Sequence, residues 1–446
     1  MSKAQIPPTM LAFALLLPGP RPAKGQADSQ RWVPHLLGAQ VTLTAQHVAP
    51  FASPYAGPNS LTGLGDTQAT HTYGVYVGSR LTGRLQAYLD AEMALGAGVG
   101  HAVGLGGITN GDVIRQGTAN LGRGPYAARV FLRFFVPVGE GRDTVARGMD
   151  QLPGVEPTTR LEVKAGKFAA SDEFDQNRYA NSTRAQFLNW GLFQDTAWDF
   201  AADTRGYTWG GMLAWVRPHW TLRVGSFLMP TMANGNVFDL SYGHARGDNI
   251  ELTLRPGASG TALRFLGYVN HARMGNYAEA IAHGAAVDSV PNIVADDRPG
   301  RTKDGFGLNV EQPTGDAQET GLFLRVGWND GRNEDFAFTE VDRHLSLGLQ
   351  IAGRHWRRTV DHLALAYVLH GLSADHRAYL AAGGSGFLLG DGRLNYGGEG
   401  IFEAYYRAQI GAFLEMSPDV QWIHNPGYNR DRGPATVVSI RINLRY

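Results

Sequence analysis

The sequence contains no cysteine, little lysine and no net charge. Lysine occurs at five of the 446 positions, and 40 basic residues balance 40 acidic ones. Without cysteine the chain has no disulfide scaffold, no thiol nucleophile and no thiolate metal site. The chain also lacks the excess of positive charge that is expected of a protein that binds nucleic acid. Charged residues make up 18% and aromatic residues 10% of the chain, which excludes intrinsic disorder.

The chain also lacks an apolar run long enough for a membrane helix. Residues 10–18 form the only candidate, far shorter than the roughly 20 residues that a spanning helix needs. This run follows Lys3 and precedes the small residues Gly25 and Ala27, an arrangement typical of secretory signal peptides. We therefore expect residues 1–27 to be a signal peptide for Sec-dependent export and residues 28–446 to form a single domain.

Instead, apolar and polar residues alternate along much of the chain, with a period of two residues. Alternation of apolar and polar residues predicts strands with one face in an apolar and one in a polar environment. It is strict in residues 38–45, 85–95, 129–138, 321–329, 344–351 and 438–446. Further strands are predicted at residues 73–80, 160–168, 207–216, 220–228, 249–255, 261–270, 306–312, 362–370, 401–410 and 420–424. The total is about sixteen, an even number, as bacterial outer-membrane barrels require.

The polar face of these strands distinguishes a membrane barrel from a soluble sandwich. A soluble sandwich would carry many lysine and glutamate residues there, whereas this chain has glycine, threonine, serine, glutamine and arginine. Aromatic residues near strand ends suit the interfacial girdles of a barrel: Trp215, Trp220, Trp328, Trp356, Trp422 and Tyr446. We predict an all-β fold, a transmembrane antiparallel β-barrel of about 16 strands surrounded by outer-membrane lipid.

The chain ends on Tyr446, inside an alternating strand. Soluble proteins usually end in a frayed polar segment. A terminal aromatic residue resembles the signal by which the barrel assembly machinery recognises outer-membrane barrels, so we expect Tyr446 to contact that machinery.

Residues 171–203 break the period and combine polar with aromatic residues. A segment of roughly 30 residues without regular structure is uncommon in a compact protein unless it is functional. We predict that it folds inward and narrows the lumen, where Asp and Arg side chains hydrogen-bond sugar hydroxyls. Tyr179, Phe187, Trp190 and Trp198 would offer stacking faces to a sugar ring. An extracellular loop held by surface ion pairs is the alternative.

Arginines on the polar strand faces form a second candidate set. An arginine on the lipid face costs about 2–4 kcal/mol at the bilayer midplane, so these side chains should point inward. They are Arg129, Arg133, Arg223, Arg264, Arg325, Arg407 and Arg441, with Glu92, Glu162 and Glu403 among them. They either tune which solutes stay in the pore or brace the wall by pairing across strands.

No catalytic or metal-binding motif stands out. The carboxylate pairs Asp172 with Asp175 and Asp199 with Asp203 are too common by chance to indicate a glycosidase. The histidines show no HExxH motif, and the serines lack a GxSxG setting. We expect no catalytic residue, no metal site and no cofactor.

Two parts of the sequence resemble the carbohydrate-selective outer-membrane porins of Gram-negative bacteria, the OprB type. The first begins at Lys167-Phe168, continues through SDEFDQNRYANSTRAQFLNW and ends in ADTRGYTWG at residues 202–210. The second is YGGEGIFEAYYRAQI at residues 396–410, followed by SPDVQWIHNPGYNRDRGP and the last strand. The resemblance covers roughly residues 38–446, and its Asn425-Pro426-Gly427 element is among the more specific parts.

The resemblance implies a sixteen-stranded porin for facilitated diffusion of sugars, with an inward loop. The substrate-binding or pore-lining residues that we predict are Asp172, Asp175, Asn177, Arg178, Asn181, Asp203, Arg205, Arg129, Arg133, Glu403 and Arg407. Gln186 would also belong to the loop. Ser182 departs from the family pattern, since an acidic residue is expected after the Tyr-Ala-Asn run.

Other functions stay open at this point. A general porin would let ions and sugars of the same size pass equally well. An exporter of acidic polysaccharide should have a cationic lumen. A secreted β-rich carbohydrate-active enzyme would stay soluble. The expected partners are small carbohydrates, outer-membrane lipid and the assembly machinery, with no nucleic acid. The sequence leaves a monomer and a homotrimer both open.

Overall fold

The chain forms one closed barrel of sixteen antiparallel strands. The computed structural model describes residues 34–113 and 121–446, so the predicted signal peptide lies outside the described residues. The strands are β1 (Leu36–Val48), β2 (Asp66–Arg80), β3 (Leu85–Gly96), β4 (Tyr126–Pro137), β5 (Arg142–Val145), β6 (Gly154–Pro157), β7 (Arg160–Phe168), β8 (Thr208–Val216), β9 (Trp220–Leu228), β10 (Arg246–Leu254), β11 (Ala262–Met274), β12 (Arg298–Gly315), β13 (Thr320–Asn329), β14 (Arg343–Ala352), β15 (His362–Gly371), β16 (Glu399–Gln409), β17 (Leu414–His424) and β18 (Ala435–Arg445). β5 and β6 pair only with each other, and the other sixteen close the barrel. The predicted fold class and strand number are confirmed.

The alternation in the sequence determines which side chains face the lumen. On β4, Val130, Leu132 and Phe134 are exposed on the outside, whereas Phe131 and Arg133 are buried inside. The same two-residue period runs through β1, β14, β17 and β18. An apolar outer face and a polar inner face are the arrangement of a barrel that stands in lipid and encloses water.

The strands extend further than their alternation suggested. β12 runs over Arg298–Gly315, whereas only residues 306–312 were predicted. Its first half is rich in glycine and charged residues, and it pairs with β11 up to Met274↔Arg298. Backbone pairing continues there without an apolar face, so hydrophobic periodicity could not show it.

The first and last strands close the barrel. β1 pairs with β18 from Gln40↔Arg445 to Val48↔Val437. The backbone N–H of Tyr446 also donates to the Ala39 carbonyl, and Ala39 N–H donates to the Tyr446 carbonyl. The terminal aromatic residue therefore belongs to the closing seam, and no strand of the barrel is left with an unpaired edge.

Connections at the two ends of the barrel differ in length. The short connections are residues 81–84, 217–219, 255–261, 316–319, 353–361 and 410–413, and the long ones are residues 49–65, 97–125, 169–207, 229–245, 275–297, 330–342, 372–398 and 425–434. Short turns face the periplasm and long loops the outside in bacterial barrels. Residues 138–159, which contain β5 and β6, are a long connection at the periplasmic end.

In the described part of the chain, three short α-helices lie within the long connections: α1 (Trp190–Phe193), α2 (Tyr277–Ala286) and α3 (Ala374–Ala381). Asn276 caps α2 by accepting from Glu279 N–H, and Ser373 caps α3 by accepting from His376 N–H. Within residues 34–113 and 121–446, none of the helices is long and apolar enough to cross a membrane.

Candidate functional site

Residues 169–207 connect β7 to β8 and cross the inside of the barrel. Asp172 binds Arg129 on β4, and Asp175 binds Arg325 on β13. Around the barrel, β4 and β13 are separated in one direction by β7 to β12, and in the other direction by β14 to β18 and β1 to β3. The two arginines thus reach the segment from nearly opposite walls, which supports the predicted inward course over the surface-loop alternative.

Arg325 anchors one end of this segment. Its guanidinium is fully buried and donates to Asp175 Oδ1 at 3.0 Å, the Leu192 carbonyl at 3.2 Å and the Ala180 carbonyl at 2.7 Å. Asn177 Nδ2 donates to Asn309 Oδ1 at 2.7 Å on the neighbouring wall. These contacts satisfy buried backbone carbonyls, so they hold the segment in one conformation.

Arg129 forms the contact at the opposite wall. Its Nε and Nη2 donate to the two oxygens of Asp172, both at 2.7 Å, and its Nη1 donates to Asp90 at 3.3 Å. Burial works to raise the pKa of Asp172, but the adjacent Arg129 guanidinium and other contacts hold this pKa below its ordinary value. The pair keeps part of its surface exposed, so both a cation and a carboxylate face the lumen.

The predicted site residues divide into exposed and buried groups. Asp172, Arg178, Asn181, Arg205, Arg129 and Arg407 keep part of their surface exposed, whereas Asp175, Asn177, Asp203, Arg133 and Glu403 are buried. Glu403 accepts from Leu188 and Asn189 N–H, at 2.5 and 2.9 Å. The buried carboxylate therefore fixes the loop from the β16 wall.

Arg178 is the most accessible of the predicted residues. Its side chain is 43% exposed and bonds to Gln318 in the turn between β12 and β13. Arg205 lies over the ring of Tyr126 with 4.5 Å between guanidinium carbon and ring centroid. Arg407 donates to His362 at 2.7 Å. These three cations therefore lie near separate parts of the wall, Arg178 and Arg205 on the loop and Arg407 on β16.

Ser182, the departure from the family pattern, lies in a hydrogen-bonded turn. The N–H groups of Asn181 and Ser182 donate to Gln186 Oε1 at 2.7 and 3.1 Å. Arg441 on β18 donates to the Thr183 and Gln186 carbonyls, both at 2.6 Å. The turn is thus held by an amide and a guanidinium, and an acidic side chain at position 182 is not needed for it.

The aromatic residues of the loop are packed against other rings. Tyr179, Phe187, Trp190 and Trp198 are all buried. Phe187 lies 5.0 Å from Tyr405, ring centroid to centroid. Trp190 is stacked on Phe338 at 4.8 Å. The expectation that these four residues offer free stacking faces to a sugar is therefore wrong, because their faces form the core inside the barrel.

A second inward segment precedes β4 and was not predicted. In residues 97–113, the Thr109 carbonyl accepts from Gln46 on β1 and Gln421 on β17. The Ile108 carbonyl also accepts from Trp190 N–H at 3.0 Å. Glycine dominates this part of the sequence, and glycine gives no periodicity from which its position could be read.

The β5–β6 hairpin enters the barrel from the periplasmic end. Glu156 binds Arg133 at 2.6 Å, and Asp150 lies 3.4 Å from Arg129. Leu152 is buried, and its N–H donates to Tyr88 Oη. At the tip, Arg147 donates to the Leu37 and Tyr446 carbonyls at 2.6 and 3.3 Å. The hairpin therefore reaches from the β4 wall to the closing seam.

A cavity of about 430 Å³ lies between this hairpin and the wall formed by β4, β7, β8 and β9. Its charged lining residues are Arg133, Asp143, Asp150, Arg160, Glu162, Lys164, Glu173, Arg217, Arg223 and Arg255. Six of these ten are cationic and four acidic, so the cavity is polar and carries both signs of charge.

A closed sixteen-stranded barrel with an apolar outer face, a charged lumen and an inward loop is the architecture of a porin, a diffusion channel of the bacterial outer membrane. Comparison with known proteins defines the family. A sequence model of the carbohydrate-selective porins, OprB family, matches residues 78–446. The chain belongs to this family.

One solved porin structure agrees with the fold. The high-pH structure of Pseudomonas putida OprB is 14% identical over 92% of this chain and 94% of that chain, with a TM-score of 0.68. The Salmonella typhi OmpF complex with daunomycin is 9% identical over 92% of this chain and 97% of that chain, with a TM-score of 0.46. No curated protein sequence matches the chain.

Family and fold together assign the function. The protein is an outer-membrane porin for carbohydrates and a channel, not an enzyme. The predictions of a sugar porin and of an outer-membrane location are confirmed. A secreted enzyme and a polysaccharide exporter are not favoured by these findings.

Proposed function

We propose that sugars pass along a path through the lumen that is lined by the exposed members of the predicted site, Arg129, Asp172, Arg178, Asn181, Arg205 and Arg407. The Arg129–Asp172 pair is the observation that carries the proposal, because it presents both charges where residues 169–207 meet the wall. The buried members, Asp175, Asn177, Asp203, Arg133 and Glu403, hold the loop and the wall in position.

The chemistry of this lining suits an uncharged polyol. A carboxylate accepts from two vicinal hydroxyls, and a guanidinium donates to hydroxyl oxygens in a fixed planar geometry. Opposite charges side by side favour neither anions nor cations as strongly as a ring of one sign does. Weak contacts at several places let a solute enter and leave, as facilitated diffusion requires.

Liposome swelling tests the proposal. Proteoliposomes should swell faster with glucose than with a charged solute of the same size, and more slowly as the sugar grows. R178A should change the sugar rate, because Arg178 is the most exposed cation of the set. R298A is the matched control, since Arg298 pairs with Glu279 on the surface at the opposite end of the barrel. Equal permeation of sugars and ions would identify a general porin instead.

The sequence-based expectations also concern export, assembly and lipid contact of the protein. We infer that residues 1–27 direct Sec-dependent export, that the assembly machinery recognises Tyr446, and that lipid surrounds the exposed apolar residues of the strands. The sequence left monomer and homotrimer open, and cross-linking of the protein in outer-membrane vesicles distinguishes them.

A further inference from the structure

Three buried side chains on the outer loops bring metal-binding atoms together. Asp335 and Asp342 belong to residues 330–342, and His376 belongs to α3. His376 Nδ1 lies 3.1 Å from Asp342 Oδ2 and 3.8 Å from Asp335 Oδ2. One donor atom of each residue lies within 4.8 Å of the other two, and all three residues are buried.

The carboxylates around this cluster outnumber the fixed cations. Lys303 of β12 bonds to Asp335 Oδ1 and lies 4.0 Å from Asp199 Oδ2. One lysine thus faces three buried carboxylates, those of Asp199, Asp335 and Asp342. Burying carboxylates without compensation is costly, and proteins compensate by pairing, protonation or metal coordination.

Several polar atoms of the cluster have no hydrogen-bond partner among the residues that the structure describes. They are Asp335 Oδ2, Asp342 Oδ1, Asp199 Oδ2 and His376 Nε2. Buried polar atoms are almost always satisfied in folded proteins, so this concentration at one place requires an explanation. Asp335 Oδ2 is the most informative, because it is buried, unpartnered and directed at His376 Nδ1.

We propose that Asp335, Asp342 and His376 bind a divalent transition-metal cation of the Zn²⁺ class. Zinc ligands lie about 2.0–2.2 Å from the ion, which places tetrahedral donor atoms about 3.4 Å apart. The distances of 3.1 and 3.8 Å bracket that value. Imidazole together with carboxylate is a ligand set for Zn²⁺ and Mn²⁺, whereas Ca²⁺ prefers six or more oxygens.

The site would join separate parts of the extracellular end. Its ligands come from residues 330–342 and from α3, and Lys303 and Asp199 connect it to β12 and to the inward loop. Ser373 N–H donates to Asp342 Oδ2 at 2.8 Å, which fixes this ligand against the start of α3. A bound cation would thus fix the outer loops above the pore.

Metal analysis of the full-length mature protein tests the proposal. The protein is unfolded in urea, refolded into detergent with Zn²⁺, Mn²⁺ or Ca²⁺ supplied singly, passed over a chelating resin and analysed for metal content. About one Zn²⁺ or Mn²⁺ per chain should remain. Wild-type protein that retains no metal overturns the proposal, and so does retention of Ca²⁺ alone.

Variants then locate the ion. H376Q and D342N should each lower the metal affinity at least about 10-fold. H283Q is the matched control, because His283 pairs with a single carboxylate, Asp296, at the surface. Heat-dependent gel mobility reports whether each variant has folded. If folded H376Q and D342N retain as much zinc as H283Q, the ion is bound elsewhere and the assignment fails.

Discussion

At the scale of single residues, partners distant in the sequence define the lumen. Arg129 and Asp172 are 43 positions apart and form two parallel hydrogen bonds of 2.7 Å. Alternation indicated that Arg129 faces inward, and the break in alternation indicated that Asp172 lies in a loop. That the two side chains meet depends on where the loop crosses the barrel, which no local pattern contains.

Replacing Asp172 by Asn should make the channel more anion-selective. D172N removes the loop carboxylate that binds the Arg129 guanidinium, so the guanidinium loses its negatively charged partner on the loop. A hydrogen bond to a charged group contributes about 1.5–3 kcal/mol, so the sugar concentration for half-saturation should change about 10-fold or more. Reversal potentials and swelling rates measure both effects. D248N is the control, since Asp248 pairs with Arg246 on β10, and equal effects of the two variants would contradict the expectation.

Asp195 should make the stability of the inward loop depend on pH. Burial and the neighbouring Asp175 raise the pKa of Asp195 to about 8. Between about pH 4 and pH 8 the folded state therefore keeps a proton that the unfolded chain releases, and stability falls as the pH rises. Each pKa unit corresponds to about 1.4 kcal/mol.

D195N should flatten this pH dependence, because an amide does not titrate. The unfolding temperature is measured at pH 5 and pH 8.5, with heat-dependent gel mobility as the readout of unfolding. D288N, at an exposed position on the outer loops, should keep the wild-type slope. G327A is a second check, since a Cβ atom at Gly327 would overlap the Asp195 carboxylate and should lower stability at both pH values.

At the scale of elements, the β5–β6 hairpin is one of the parts of the structure that the sequence did not indicate. Its strands contain four residues each, too few for alternation to show. Its contacts with Arg129 and Arg133 and the Arg147 tether place it across the periplasmic end of the lumen.

Release of this hairpin should widen the periplasmic exit. R147A removes the bonds to the Leu37 and Tyr446 carbonyls, so single-channel conductance should rise, and larger sugars should permeate faster. R142A is the matched control, because Arg142 donates only to the Gly139 and Gly141 carbonyls beside it. If both variants keep the wild-type conductance, the hairpin does not limit passage.

At the scale of the whole molecule, closure of the barrel provides the stability. Every barrel strand has two paired neighbours, and the β1–β18 seam includes the last residue. A closed barrel resists detergent until it is heated, so the unheated protein should migrate faster on a gel than the boiled one.

Y446A should lower the fraction of protein that assembles, whereas Y446F should not. Tyr446 supplies backbone bonds to Ala39, which any residue can make, and a ring that lies 5.8 Å from that of Phe413. Y446A removes the ring and keeps the backbone bonds, so a loss of assembly measures recognition of the aromatic side chain. The fraction of the protein in outer membranes that is heat-modifiable reports assembly. Normal assembly of Y446A would remove Tyr446 as a signal.

The sequence by itself determined the barrel, its strand number and the lumen-facing side of the strictly alternating strands, and it predicted an inward loop. These follow from periodicity and from a break in it, because a strand between lipid and water must alternate. The tertiary structure alone decided which predicted residues reach open space. Arg178 is exposed and Glu403 buried, although both lie in segments that resemble the family. It also brought Asp335, Asp342 and His376 together, since loop packing joins residues that sequence spacing keeps apart.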